Sequence, residues 1–156
     1  MSLALVCCLI ASMCCFASAS GTDGSKSVVP SPDQGSGTRT NLFTLKCSGL
    51  SGTAKKGFKK SDLPSGTKKI GVSGSLKHAG SGMNGYTMRA GFGYVVQSTG
   101  KFKPEYYESY QSSSANVYYR TSVSYLINTT TYYAFIKNMF PEYGTASGSI
   151  TAFALS

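Results

Sequence analysis

The chain has 156 residues, with fifteen lysines and arginines against six aspartates and glutamates, and its net charge is +9 at pH 7. A single histidine, His78, and so few acids leave little for nucleophilic or glycosidase catalysis. The His, Cys, Asp and Glu residues also lack the spacing of metal ligands. We therefore predict a protein that is not an enzyme and has no cofactor and no metal site.

Residues 1–19 carry no charged side chain and end in Ala17-Ser18-Ala19. Their apolar block, residues 3–17, is as long as the core of a signal peptide and shorter than the ~18 residues that a membrane span needs. Small residues at 17 and 19 suit cleavage after Ala19. We predict a helical secretory signal peptide and an extracellular protein. Because no lysine or arginine precedes the block, the alternative is an uncleaved helix that anchors the protein to a membrane.

Residues 20–41 are rich in Gly, Ser, Thr and Pro, and their only large apolar residues are Val28 and Val29. Such a segment buries too little surface to offset its ordering entropy, so we expect a disordered leader. A single folded domain is expected to span residues 42–156. Four of the five cysteines lie in the signal segment, so the exported chain would keep only Cys47 and form no internal disulfide.

Beyond the leader, apolar residues recur at every second position, which is typical of strands with one solvent-facing side. The clearest runs are 70–76, 86–96 and 117–127. In the last run the odd positions, which end with Tyr125 and Ile127, are predicted to face the core.

Weaker patterns extend the strand prediction to most of the remaining domain. Two glycines inside one run, Gly91 and Gly93, predict close backbone packing or a bulge. Turn residues separate the runs, and short strands at this spacing predict an all-β fold, an antiparallel β-sandwich of about six to eight strands, with a β-barrel as the alternative. The weaker segments are 42–47, 132–137 and 149–155, while 101–110 is compatible with a strand or a short helix.

The positive charge is concentrated in the middle of the chain. Residues 46–103 hold eleven lysines and arginines and a single acid, Asp62. A field of one sign attracts polyanions over long range. For an exported protein we therefore predict a polyanionic surface as partner, either a wall polymer, an acidic glycan or an anionic lipid, and no specific nucleic acid.

Two features are candidates for binding. In the segment 55–60, Phe58 lies between two pairs of lysines. The favoured interpretation is an exposed loop whose Phe58 packs back on the domain, and the alternative is a loop whose Phe58 enters an anionic interface. The second feature is a tyrosine-rich segment that we expect to be exposed, because aromatic faces stack on sugar rings. The candidate binding residues are Lys55, Lys56, Phe58, Lys59, Lys60, Lys68, Lys69, Tyr106, Tyr107 and Tyr110.

These observations favour a secreted, basic, non-catalytic protein with a binding or interaction role at a cell surface, a wall polymer or a glycan. The alternative function is a secreted cationic toxin or antimicrobial that acts on anionic membranes. An enzyme is the least favoured possibility, because its base would have to be His78. That residue lies between basic residues and turn glycines and is predicted to be exposed in a hairpin.

Overall fold

A computed structural model describes residues 37–80 and 87–156, and these residues form eight β-strands and three short 3-10 turns. The predicted signal peptide and most of the predicted leader lie outside the described residues. The 3-10 turns span Lys60–Asp62, Val123–Tyr125 and Pro141–Tyr143. The strands are β1 (Arg39–Leu50), β2 (Thr53–Lys59), β3 (Lys69–Ala79), β4 (Thr87–Val95), β5 (Phe102–Gln111), β6 (Ser114–Ser122), β7 (Thr131–Asn138) and β8 (Thr145–Leu155).

Within the described ranges the strands build two antiparallel four-stranded sheets, neither of which closes on itself. Sheet A has the order β1-β8-β3-β6, and sheet B has the order β2-β7-β4-β5. The all-β prediction is confirmed, and two open sheets are consistent with a sandwich. Strand β1 begins at Arg39, so residues 39–41 of the expected leader belong to it. The described part of the chain has no helix that is long and apolar enough to span a membrane.

The strand pairing is nested. Antiparallel pairs join β1 to β8, β2 to β7, β3 to β6 and β4 to β5, as if one long hairpin had been wound around itself. This is the connectivity of an eight-stranded jelly roll. Such a fold supports many unrelated functions, so the function has to be argued from the surface of this chain.

The predicted alternation places the core between the sheets. On β4 the side chains of Met88, Ala90 and Phe92 are fully buried, as are Ile70 and Val72 on β3. These residues share one inner cluster with side chains of the other sheet. The run 70–76 and residues 88–94 of the run 86–96 therefore have the orientation that the sequence predicts, whereas Tyr86 lies outside the described residues.

The third run, 117–127, does not continue as one strand, and its predicted orientation is wrong at the end. Strand β6 stops at Ser122, whose hydroxyl accepts a hydrogen bond from the Ser124 amide and begins a 3-10 turn. The turn places Leu126 inward at 3% exposure. Tyr125 and Ile127 consequently face solvent at 62% and 61% exposure instead of packing in the core.

Candidate binding surface

Sheet B carries aromatic side chains on its outer side as well as its inner side. On β7, Tyr133 and Phe135 point away from the core, because the intervening Ala134 and the following Ile136 are buried in it. Paired residues of neighbouring strands therefore form rows across the outer side. The rows are Gly57, Tyr133, Gly93 and Pro104; then Lys55, Phe135, Gly91 and Tyr107; then Thr53, Lys137, Arg89 and Ser109.

The aromatic rings of these rows contact one another and also contact Phe102, the first residue of β5. Phe102 packs edge-on against Phe135 with centroids 5.2 Å apart and against Tyr133 at 6.2 Å. Tyr107 packs edge-on against Phe135 at 6.1 Å. We call these four residues, Phe102, Tyr107, Tyr133 and Phe135, the outer aromatic cluster. Phe135 does not belong to the core that lies between the two sheets, yet its side chain is completely buried.

Glycines allow the rings to lie close to the sheet. A Cβ atom on Gly93 would stand 2.6 Å from Cζ of Phe102, and one on Gly57 would stand 3.1 Å from Cε1 of Tyr133. The strand register also shifts between Phe92 and Gly93. The prediction of close packing or a bulge at Gly91 and Gly93 is therefore confirmed. Atoms of Tyr107 and Phe102 on the neighbouring strand occupy the positions that side chains at Gly91 and Gly93 would take.

Two cations border the outer aromatic cluster. The Lys55 Nζ lies 5.2 Å from the centroid of Phe102 and 5.7 Å from that of Tyr133. The Arg89 guanidinium lies 4.9 Å from the centroid of Tyr107, and its Nε donates a hydrogen bond to Ser109 Oγ. Both are cation–π contacts. The one ion pair among the described residues is elsewhere, between Lys103 and Glu105 at 2.9 Å.

The segment 55–60 is an edge strand and a turn, not the predicted loop, because it pairs along β7. Alternation separates its side chains. Lys55 lies over the outer aromatic cluster, whereas Lys56 lies 5.0 Å from the ring of Phe43 on β1. Phe58 is buried at 6% exposure and packs on Phe92 at 5.7 Å, so it fills the core, as the favoured interpretation had it. Lys59 is exposed where the strand ends.

The remaining candidate lysines gather at one end of the fold. Lys60 Nζ donates a hydrogen bond to the Leu126 carbonyl, and the Lys68 carbonyl accepts one from the Val123 amide. Lys69 follows at the first position of β3. These contacts place Lys60 and Lys68 beside the turn Val123–Tyr125, so they do not join Lys55 at the outer aromatic cluster.

The three candidate tyrosines lie on β5 and do not form one exposed patch. Tyr107 faces outward, whereas Tyr106 and Tyr110 pack against the core, and all three are half-buried. Burial, with help from the Glu108 carboxylate, raises the pKa of Tyr110 to about 12. Burial also raises the pKa of Tyr106. Of this set only Tyr107 shares the outer face with Lys55.

His78 is buried at 5% exposure, so the prediction of an exposed hairpin imidazole is wrong. The reason is that β3 does not end before His78 but continues to Ala79. His78 is therefore paired with Ala146 on β8, and its amide donates a hydrogen bond to the Ser113 carbonyl. Cys47 is half-buried, and burial raises the pKa of its thiol. Residues 37–80 and 87–156 contain no group of His, Cys, Asp and Glu side chains that would hold a metal ion.

The sequence did not predict the outer aromatic cluster. The sequence feature that could have indicated it is the run 132–137, in which both alternating faces are apolar and Tyr133 and Phe135 lie between core residues. No protein-family model and no curated protein matches this chain. A function for this protein is therefore inferred from the chemistry of its described surface.

Proposed function

We propose that this chain is a secreted, basic, non-catalytic β-sandwich protein that binds an acidic polysaccharide of a cell surface or wall on the outer side of sheet B. The observation that carries the proposal is the position of Lys55 Nζ, 5.2 Å from Phe102 and 5.7 Å from Tyr133. A cation over flat rings brings together the two groups that bind an acidic sugar, namely aromatic rings for its ring and a charge for its acid group.

The arrangement of the rows supports a chain-like ligand. Two rows contribute aromatic rings, and the third contributes the adjacent cations Lys137 and Arg89. Neighbouring rows are separated by two residues along a strand, which is about 7 Å. A polysaccharide lying across the rings would therefore meet Lys55 within the aromatic rows and Lys137 and Arg89 beside them.

The charge of the whole segment supports the same class of ligand. Eleven basic residues and one acid between residues 46 and 103 attract a polyanion from a distance, and the outer aromatic cluster then selects for rings. Electrostatic attraction alone would not distinguish a glycan from other polyanions. The proposed selectivity therefore resides in the aromatic rows.

The binding experiment compares polygalacturonate with a neutral glucan, using calorimetry over a salt series. We expect the acidic polymer to bind, the affinity to fall with added salt, and the neutral polymer to bind far more weakly. Lys55→Ala should weaken binding about fivefold to thirtyfold, since a charged contact contributes roughly 1–2 kcal/mol. Tyr107→Ala should weaken it by a similar factor.

A matched control separates this site from general positive charge. Lys46 is exposed on β1 in sheet A, so Lys46→Ala removes the same charge from the other sheet. We expect it to change the affinity less than twofold, roughly the limit for a distant screened charge. Equal losses for Lys46→Ala and Lys55→Ala, or no binding of the acidic polymer, would contradict the proposed site.

Export is a separate part of the proposal and has its own test. It is supported by the uncharged segment 1–19 and the small residues at its end. When the full chain is expressed in a host with a secretory route, the protein in the medium should begin at Ser20. A product that stays with the membrane and keeps residues 1–19 would favour the anchored alternative.

A further inference from the structure

One end of the fold exposes two apolar side chains in fixed positions. Tyr125 and Ile127 are the most exposed large hydrophobic residues in the described part of the chain. The ring of Tyr125 stacks on Tyr106 with centroids 6.1 Å apart, and the Ile127 amide donates a hydrogen bond to Tyr132 Oη at 3.1 Å. The buried Leu126 between them holds the segment to the core.

Three other segments bring lysines to this end of the fold. Lys60 Nζ donates to the Leu126 carbonyl at 3.0 Å, and the backbone of Lys68 is bonded to that of Val123. Lys103 Nζ donates to Tyr94 Oη, and the Tyr94 ring packs against Tyr132, which holds Ile127. Lys60 Nζ therefore lies beside the apolar pair, and Lys68 and Lys103 belong to segments at the same end of the fold.

Few acids offset that charge. The segments 59–69 and 101–105 together hold six lysines and two acids. One of the acids, Asp62, accepts a hydrogen bond from the Lys59 amide, and the other, Glu105, is paired with Lys103. We call the surface formed by Tyr125, Ile127 and the six lysines of these segments the basic end; the lysines are Lys59, Lys60, Lys68, Lys69, Lys101 and Lys103.

We propose that the basic end docks on an anionic lipid bilayer, with Tyr125 and Ile127 entering the headgroup region while the lysines meet acidic headgroups. The charge is complementary to such a surface, and an aromatic and an aliphatic side chain that protrude together can enter a soft interface. A stacked sugar would find a ring at Tyr125 but none at Ile127.

The opposite end of the fold shows that exposure alone does not select the site. There Phe140 and Tyr143 are exposed at 36% and 49%, and their rings pack against each other at 6.3 Å. An acid, Glu142, lies in the turn between them. The turn at this end therefore carries an acid, whereas the turn Val123–Tyr125 carries none, and Tyr143 provides a control position.

The chain contains no tryptophan, so a single introduced one reports on its own position. Ile127→Trp is mixed with phosphatidylcholine vesicles that do or do not contain phosphatidylglycerol, and its fluorescence is recorded. We expect a blue shift with the anionic vesicles, a weaker shift in high salt and none with phosphatidylcholine alone. Tyr143→Trp, in the same full chain with the same N-terminal segment, should show no shift.

Charge variants in the Ile127→Trp background test the lysines. Lys68→Gln with Lys101→Gln should reduce the vesicle affinity about tenfold, because each lysine near the membrane surface contributes to attraction. Lys46→Gln with Lys77→Gln removes the same charge elsewhere and should change it less than about twofold. Far-ultraviolet circular dichroism checks that every variant is folded.

The docking proposal fails if Ile127→Trp shows no shift with anionic vesicles, or if Tyr143→Trp shifts equally. It also fails if the two lysine pairs have equal effects. The residues differ from those of the glycan site, so the two proposals fail separately. Lys55→Ala should leave the vesicle affinity unchanged. If the basic end binds a protein instead of lipid, the fluorescence of neither tryptophan variant should shift with vesicles.

Discussion

The guanidinium of Arg39 lies 4.0 Å from the centroid of the Phe153 ring, on the outer side of sheet A. Arg39 also donates a hydrogen bond from Nη2 to Ser73 Oγ at 2.7 Å, so it reaches from β1 across β8 to β3. Tyr118 stacks on the same ring at 5.9 Å, and Phe153 is left 1% exposed. A buried phenylalanine beside cations and tyrosines, as at Phe135, therefore recurs on both sheets.

Removing the Arg39 side chain should destabilise the protein. Arg39→Ala loses a cation–π contact, a hydrogen bond and the cover of Phe153, and we expect the free energy of unfolding to fall by about 1–2 kcal/mol. Arg39→Lys should recover part of the loss, because an ammonium keeps the charge without the planar fork. Urea denaturation gives both values. Lys46→Ala on the same strand is the control and should change stability by less than ~0.5 kcal/mol. An Arg39→Ala variant as stable as that control would show that the contact does not stabilise the fold.

Gly93 is expected to tolerate no side chain. A Cβ atom there would stand 2.6 Å from Phe102 Cζ and would also meet the Lys103 carbonyl. Gly93→Ala should lower the free energy of unfolding by about 1–3 kcal/mol through overpacking. Gly52 is the matched position, because a Cβ atom there has no neighbour within 4 Å. Gly52→Ala should be neutral or stabilising by up to ~1 kcal/mol, since it reduces the entropy of the unfolded chain. Thermal unfolding of the two variants compares them directly, and a smaller loss at Gly93 than at Gly52 would contradict the argument.

Alternation of apolar residues in the sequence predicts a strand only where one of its two faces is apolar. Strand β2 escaped the prediction because Phe58 is its one buried side chain, and the lysines around it are typical of an unpaired edge. The run 117–127 was extended too far because its period of two continues past Ser122, where a hydroxyl begins a turn. In the first case the missing information is tertiary, and in the second it is a local hydrogen bond from the Ser124 amide to the Ser122 hydroxyl.

The candidate surfaces depend on contacts between distant parts of the chain. The outer aromatic cluster exists because Gly93 pairs with Tyr133 on one side and Pro104 on the other, a register that no local pattern specifies. The basic end exists because residues 60 and 126 meet across the fold. The sequence could predict the charge and the aromatic residues, whereas the structure determines which of them share a face.

Tyr110 is expected to make stability depend on pH in the alkaline range. Its pKa is raised from 10.0 to about 12, chiefly by burial, so the folded state holds the phenolic proton more tightly than the unfolded state does. The resulting stabilisation is fully present below pH ~10 and is lost as the pH rises toward ~12. Tyr110→Phe cannot ionise. The stability of the original protein relative to this variant should therefore fall between about pH 9 and pH 11.5, as measured by chemical denaturation. A difference that stays constant over this range would contradict the shift.

Asn138 links three segments at the end of the fold that holds Phe140. Its side chain is 1% exposed, and its Nδ2 donates hydrogen bonds to the Leu50 carbonyl at 3.2 Å and the Gly144 carbonyl at 2.7 Å. Its Oδ1 accepts one from the Phe140 amide at 3.2 Å. Asn138→Asp keeps the shape but turns a carboxylate oxygen toward two carbonyl oxygens. We expect it to lower the free energy of unfolding at pH 7 by about 2–4 kcal/mol.

The pH dependence of Asn138→Asp distinguishes repulsion between the introduced carboxylate and the Leu50 and Gly144 carbonyls from the mere loss of the two hydrogen bonds to them. Burial beside carbonyl oxygens should raise the pKa of the introduced carboxyl above its ordinary value of about 3.9, because only the protonated form can donate. A group whose pKa is higher in the folded state stabilises at low pH and loses that contribution as the pH rises. Asn138→Asp should therefore recover stability, relative to Asn138→Ala, when the pH is lowered from about 7 to about 4. Urea denaturation at both pH values measures this, and a constant difference between the two variants would mean that the Asn138 amide is not held by the Leu50 and Gly144 carbonyls.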